Sequence, residues 1–206
     1  MITTTKILLN VIVLALAVCL AGCGKDGDPG VGYTEAIKYG DIKATFAGKR
    51  PTDSVAFSEI QDFKFYAAGN NPSGLNSVYV DTTTGIKTFY IVRFLAAIDQ
   101  HTNDNYVSVR LDVSATDTIT YYQLSANTTI ITGTKFFGIS EYRASNDDSV
   151  GETSEITDFK YDATTGKVTF KFTWNTPASG SSTGYDLAIT GAVSTTVLES
   201  LSNPNL

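Results

Sequence analysis

The residues whose types and spacing could do chemistry are few in this 206-residue chain. Glu59 and Asp62 return as Glu155 and Asp158, and two carboxylates facing each other across a cleft are what cleavage of a glycosidic bond requires. Residues three apart on one strand, however, point to opposite faces. Their recurrence also suits a structural role, such as capping a strand start, so no catalytic role is assigned to them. His101 is the single histidine and lies in Asp99-Gln100-His101-Thr102-Asn103-Asp104-Asn105. A nucleophilic triad would need a partner for it, and no free cysteine is available. The expectation for this stretch is a polar hairpin loop. That loop and Ser145-Asn146-Asp147-Asp148 offer clustered oxygens, and calcium takes roughly six to eight of them. Neither follows the spaced pattern of a calcium loop, and Asp and Asn in turns usually bond their own backbone. The sequence therefore assigns no catalytic residue, cofactor or metal, and the protein is expected not to be an enzyme.

Chemistry of another kind is written near the start. A short segment with one cation, Lys6, precedes an apolar run from Ile7 to Leu20 interrupted by Asn10, and small residues follow. This is the layout of a secretory signal. A membrane-spanning helix would need about 20 consecutive apolar residues, and here glycines and charges cut the run short. The stretch Leu20-Ala21-Gly22-Cys23 resembles the lipobox of bacterial lipoproteins. The resemblance implies cleavage between Gly22 and Cys23, a diacylglycerol on the Cys23 sulfur and acylation of its new amine. Each buried methylene contributes about 0.8 kcal/mol, so three acyl chains would hold the protein at a membrane essentially permanently. Cys19 would leave with the signal, Cys23 would be alkylated, and no disulfide could form. The expected organisation is a signal peptide over 1–22, a lipidated, Gly-rich tether over 23–32 and a folded domain over 33–206.

The tether, Gly24-Lys25-Asp26-Gly27-Asp28-Pro29-Gly30-Val31-Gly32, has too few triplets for a collagen helix and is read as a solvated spacer. Gly24 is not the Asp of the inner-membrane retention signal of enteric bacteria. Lys25-Asp26 with Asp28 resembles, with Gly27 interrupting it, the export signal of Bacteroidetes lipoproteins. The expected location is the outer membrane, facing outside rather than the periplasm. After cleavage 14 cations stand against 21 acids, a net charge of −7. That balance argues against nucleic acid and against docking onto anionic headgroups.

The elements that must position any site are strands. Asp53-Ser54-Val55 followed by Ser58-Glu59-Ile60-Gln61-Asp62-Phe63-Lys64-Phe65 returns as Asp148-Ser149-Val150 followed by Ser154-Glu155-Ile156-Thr157-Asp158-Phe159-Lys160-Tyr161. Thr83-Thr84-Gly85 returns as Thr164-Thr165-Gly166, and Tyr106 and Tyr185 lead later strands at similar offsets. The first copy carries an insertion, Ala67 to Val80, with a loop at Asn70-Asn71-Pro72-Ser73-Gly74. Repeats of this kind indicate a tandem duplication, with halves at about 40–125 and 133–201. Val168, Phe170, Phe172 and Trp174 alternate with polar residues, as do Val107, Val109, Leu111 and Val113, so each strand has one apolar face. Phe89 to Leu95 is apolar on both faces except at Arg93 and reads as a central strand covered on both sides. In the second copy Ile156, Asp158 and Lys160 are expected opposite Glu155, Thr157, Phe159 and Tyr161. Asp162-Ala163-Thr164-Thr165-Gly166 reads as a hairpin with Gly at the position needing positive φ. No stretch has a sustained helical period. The fold expected is all-β, an antiparallel β-sandwich or flattened barrel built from two tandem repeats. A single domain buries more than two small sandwiches divided near Asn127 to Gly133, and Trp174 with the many Phe and Tyr would fill it.

Four tripeptides, Asp53-Ser54-Val55, Asp81-Thr82-Thr83, Asp117-Thr118-Ile119 and Asp148-Ser149-Val150, match the Asp-Ser/Thr-apolar O-glycosylation motif of Bacteroidetes, with Ser54, Thr82, Thr118 and Ser149 as acceptors. The repeated Glu-Ile-x-Asp is similar to a strand motif of jelly-roll glucanases, but that family sets its acids on alternate residues. The whole chain resembles the small β-rich lipoproteins of Bacteroidetes, in its anchor, its Gly-Lys-Asp-Gly tether and a C-terminal edge of Val-Ser-Thr-Thr-Val-Leu type. The resemblance implies an envelope location and no particular activity. The expected function is a non-catalytic module binding a glycan or an envelope protein, with an assembly accessory as the alternative and a glycan hydrolase last. Exposed Tyr clustered on one sheet face would favour glycan, and a bare apolar edge strand would favour assembly.

Overall fold

The computed structural model describes residues 39–66, 76–96, 105–147 and 151–200. All belong to one compact unit, Thr34–Leu206. The signal segment, Gly22, Cys23, the tether, Asn70–Gly74, His101 with its loop up to Asp104, and Asp148-Ser149-Val150 lie outside the described residues.

The described residues form eleven strands and no helix. They are β1 (Gly40–Lys49), β2 (Ala56–Phe63), β3 (Asn76–Val80), β4 (Lys87–Phe94), β5 (Tyr106–Val113), β6 (Ile119–Thr132), β7 (Lys135–Ala144), β8 (Thr153–Asp162), β9 (Lys167–Thr176), β10 (Leu187–Thr196) and β11 (Leu198–Ser200). Sheet A has five strands in the order β2-β1-β10-β9-β8, and sheet B has six in the order β11-β3-β4-β5-β6-β7. The pairings are antiparallel except that of β11 with β3.

The layers face each other in a sandwich-like arrangement. Alternate residues of each strand supply the shared core: Ile42 and Phe46 from β1, Phe170, Phe172 and Trp174 from β9, Phe89 and Ile91 from β4, Val109 and Leu111 from β5. Trp174 is 1% exposed and fills the space between the layers, as its place in the alternating strand requires. The longest strand, β6, ties the layers together. Near its start the Tyr122 hydroxyl donates to Ser154 O of β8 at 2.9 Å. Further on, Thr128 Oγ1 donates to Gln61 Oε1 of β2 at 2.7 Å, and Gln61 Nε2 donates to Thr129 O at 2.9 Å. Strands β8 and β2 are the two opposite edges of sheet A. One strand of sheet B thus traverses sheet A from edge to edge, so the layers cross steeply, as in orthogonally packed sheets.

Residues 127–133 belong to β6 and the β6–β7 turn, so the alternative of two sandwiches divided there does not hold. Other expectations change. The last five residues of the insertion, Asn76–Val80, are β3 and pair with β4. Strand β4 is not buried equally on its two faces. Phe89, Ile91 and Arg93 are fully buried on the inner face, while Thr88, Tyr90 and Val92 are half-buried on the outer one. Val193-Ser194-Thr195-Thr196 lies in β10, paired on both sides by β1 and β9, and the edge is the short β11.

The alternation in β8 breaks at Asp158. This residue has φ of 57°, and the register with β9 shifts between Thr157 and Lys160. The bulge inserts a residue and rephases the strand. Ile156 before it and Phe159 and Tyr161 after it therefore all pack on the core, contrary to simple alternation. In β2 there is no bulge, and Ile60, which corresponds to Ile156 in the sequence echo, points outward at 74% exposure.

Candidate functional site

The outer face of sheet B is built from residues that alternate with the core. Cross-strand register puts Ser77, Tyr90, Arg110 and Gln123 in one row, and Tyr79, Thr88, Asp112 and Tyr121 in the next. A third row holds Val92, Ser108, Ser125 and Tyr142, and Tyr106 lies beyond it, paired with Asn127. Tyr79, Tyr90, Tyr106, Tyr121 and Tyr142, five of the eleven tyrosines, thus share one sheet face. In those three rows the only formal charges are Arg110 and Asp112. The outer face of sheet A is different in kind, presenting Lys43, Thr45, Thr190, Thr173 and Lys171 across its width.

Arg110 is the centre of the tyrosine face. Its guanidinium stands 5.4 Å from the ring centroid of Tyr90 and 5.6 Å from that of Tyr121, within the range in which a cation is attracted to an aromatic face. Nη2 donates to Asp112 Oδ2 at 3.3 Å. Arg110 Nε and Asp112 Oδ1 are buried with no hydrogen-bond partner. On the next strand Gln123 Nε2 donates to the hydroxyl of Tyr142, one strand farther on, at 2.8 Å, and Tyr142 is 56% exposed. Ser108 and Ser125 are small, so the face sinks between these long side chains. The result is a shallow groove of about 170 Å³ lined by Tyr90, Ser108, Arg110, Gln123, Ser125 and Tyr142. Chemically it offers aromatic surface, hydroxyls, one amide that can donate and accept, and one fixed cation.

The residues singled out from sequence are placed elsewhere. Glu59 and Asp62 are on β2, Glu155 and Asp158 on β8. These are opposite edges of sheet A, about 19 Å apart at the usual strand spacing, so the two copies do not converge. Asp158 bonds Lys171 at 2.9 Å, and that contact holds its carboxyl below the usual range and raises the lysine. Of the calcium candidates, Ser145-Asn146-Asp147 forms a turn in which Ser145 Oγ accepts from Tyr122 N at 3.1 Å. Asn105 Oδ1 accepts from Thr129 N at 2.7 Å and from Thr128 Oγ1 at 3.2 Å, so it is used in joining β5 to β6. Among the described residues no three His, Cys, Asp or Glu come together as metal ligands, and no helix is long and apolar enough to cross a membrane. Ser54, Thr82 and Thr118 all sit in exposed turns. Ser54 has φ of 58° and its Oγ is 2.5 Å from the Tyr185 hydroxyl.

Beside Ser54, Asp53 joins the layers at the far end of β1. It accepts Arg50 Nε and Nη2, both at 2.8 Å, and Lys135 Nζ at 2.6 Å from the β6–β7 turn. These bonds, Lys135 first, lower its carboxyl to about 2.

The tyrosine face was not assembled by sequence reasoning. Alternation along β5 put Ser108, Arg110 and Asp112 on a wet face, but only strand order and register bring Tyr90, Gln123 and Tyr142 beside them. Comparison with protein-family models, with curated proteins and with solved structures finds no match.

Proposed function

We propose that the protein is a lipid-anchored envelope protein that binds glycan on the outer face of sheet B, without catalysis. The observation that carries the reading is the gathering of five tyrosines on one sheet face, two of which, Tyr90 and Tyr142, line a groove. A sugar presents a C–H face and a rim of hydroxyls. Tyrosine rings take the first, with a polar tip to spare, and Gln123, Arg110 and the serines take the second. The separation of the two carboxylate pairs across sheet A favours binding over cleavage. Screening the purified protein against immobilised glycans tests the reading. Binding that is lost in Tyr142→Ala supports it, and a blank screen removes it.

The anchoring half of the proposal rests on Leu20-Ala21-Gly22-Cys23, with lipid on Cys23 after cleavage at Gly22, and places the domain on the outer membrane facing outside. Protease treatment of intact cells, with Cys23→Ala as the unanchored control, tests it. Loss of the protein from whole cells supports surface display, and protection until lysis refutes it.

A tandem duplication with halves near 40–125 and 133–201 is supported by twin turns. Asp81 accepts Thr83 N and Thr84 Oγ1, and Asp162 accepts Thr164 N and Thr165 Oγ1 in the same way. Gly85 and Gly166 follow with φ of 72° and 70°. The turns join β3 to β4 in sheet B and β8 to β9 in sheet A. O-glycans on Ser54, Thr82, Thr118 and Ser149 complete the reading. The first three stand on turns, clear of the groove, and the intact mass of protein from its native host tests them.

A second reading, an envelope-protein partner, draws on one observation. Ile131 and Phe136 are cross-strand partners at the β6–β7 turn and are 66% and 78% exposed. Farther along β7 the edge is blunted, since Ser140 N donates to Ser182 Oγ. Loss of a co-purifying envelope protein in Phe136→Glu would favour this reading.

A further inference from the structure

We infer that the sugar unit taken by the groove carries a carboxylate, which meets the guanidinium of Arg110. The inference rests on the glycan reading above and names the class of sugar. Three observations carry it. First, among the described residues Arg110 is the only charged one lining the groove, and none of them lines it with a carboxylate. Second, its guanidinium is held in place by two rings, Tyr90 and Tyr121, so it is presented as a fixed fork. A planar fork matches a carboxylate bidentately, and holding it in advance reduces the entropy lost on binding. Third, its donors are under-used. Of five N–H groups, one makes a hydrogen bond, to Asp112 at a stretched 3.3 Å, and buried Nε makes none.

The volume of about 170 Å³ suits one sugar ring rather than an extended chain. With the carboxylate at Arg110, the ring lies over Ser108 and Ser125 and reaches Tyr142 and Gln123 on the far wall. The net charge of −6 repels acidic glycans at long range. At physiological salt, however, charges more than about 8 Å away are largely screened, while a contact pair is not. The site is therefore selective for an acidic unit without attracting polyanions from a distance.

Titration of the full chain with four oligosaccharides of equal length tests the inference: an oligouronate, its methyl ester, a neutral glucan and a sulfated glucan. The oligouronate is expected to bind at least tenfold more tightly than its ester. Arg110→Gln should abolish that preference, Arg110→Lys should weaken it, and Asp112→Asn, which removes the competing carboxylate, should enlarge it. Equal binding of acid and ester overturns the carboxylate assignment but leaves glycan binding intact, as does an equally tight sulfated glucan. Binding of none of the sugars, by a chain whose circular dichroism shows folded β-sheet, overturns the glycan reading and this inference with it.

Discussion

Arg110 and Tyr90 are direct cross-strand partners on β5 and β4, and the guanidinium carbon stands 5.4 Å from the centroid of the Tyr90 ring. Facing residues in antiparallel strands are the closest neighbours a sheet provides. The pair therefore fixes a cation on an aromatic surface without help from any loop. Tyr121, one strand farther on, approaches the same guanidinium at 5.6 Å. A binding face made of rigid strands is more precise than one made of loops, and the account of function follows from that placement.

Removal of Tyr142 should separate binding from stability. Its side chain is 56% exposed, and surface substitutions of this kind usually change stability by no more than about 0.5 kcal/mol. Tyr142→Ala is expected to leave the urea midpoint nearly unchanged and to weaken glycan binding by at least about fivefold, or ~1 kcal/mol. Isothermal titration of the variant beside a urea melt checks both.

Gly191 should be irreplaceable for a packing reason. It is the cross-strand partner of Phe172, and a Cβ built on it would overlap the Phe172 ring at Cζ. That ring is 2% exposed and has nowhere to move. Gly191→Ala should cost about 1–3 kcal/mol, the range for overpacking a core, measured by chemical denaturation. Gly138, whose Cβ would meet nothing, is the control, and Gly138→Ala should be nearly neutral.

Arg93 is the most deeply buried charge among the described residues, 0% exposed. It donates to Gly40 O at 3.0 Å, Tyr39 O at 2.9 Å and Asn76 Oδ1 at 2.8 Å, and so fastens the start of β1 to sheet B. Burial lowers its guanidinium to about 10, which leaves it charged at neutral pH. Arg93→Met would keep the bulk and take the donor from Asn76 Oδ1 and Gly40 O, while Tyr39 O keeps its bond from Thr196 N. An orphaned buried acceptor costs roughly 1–3 kcal/mol, so a loss on the order of 3 kcal/mol is expected in a urea melt.

Acid should loosen the clamp between the layers. The Asp53 carboxyl lies at about 2 in the folded chain, below its ordinary 3.8. A carboxyl lowered by folding stabilises fully above the unfolded value, and that contribution is lost as pH falls through the folded one. The window is therefore about pH 4 down to 2. Asp53→Asn should flatten the acid limb of a stability–pH profile in that window. Asp81 and Asp162, lowered by their own turn hydrogen bonds, should retain their share in the variant.

The fold class was legible because core strands alternate cleanly. Val168, Phe170, Phe172 and Trp174 are all buried as their spacing requires, and Gly166 takes the positive φ that its turn demands. Two kinds of feature were not legible. A bulge at Asp158 inverts the facing of the strand around it, and one extra residue leaves no mark in an alternating pattern. Likewise, Tyr90 looked like part of a doubly covered strand because an outward tyrosine and a core tyrosine are the same letter. The groove needed strand order as well: Gln123 and Tyr142 reach Arg110 only through the β4-β5-β6-β7 pairing, which no local motif encodes.

The central claim, that sheet B carries the binding face, is tested most directly by mapping backbone amide shifts in NMR spectra as an oligouronate is added. The account predicts shifts concentrated at Tyr90, Ser108 to Asp112, Tyr121 to Ser125 and Tyr142, with the outer face of sheet A silent. Shifts centred on Lys43, Lys171 and Thr190, or on the β6–β7 turn alone, would contradict it.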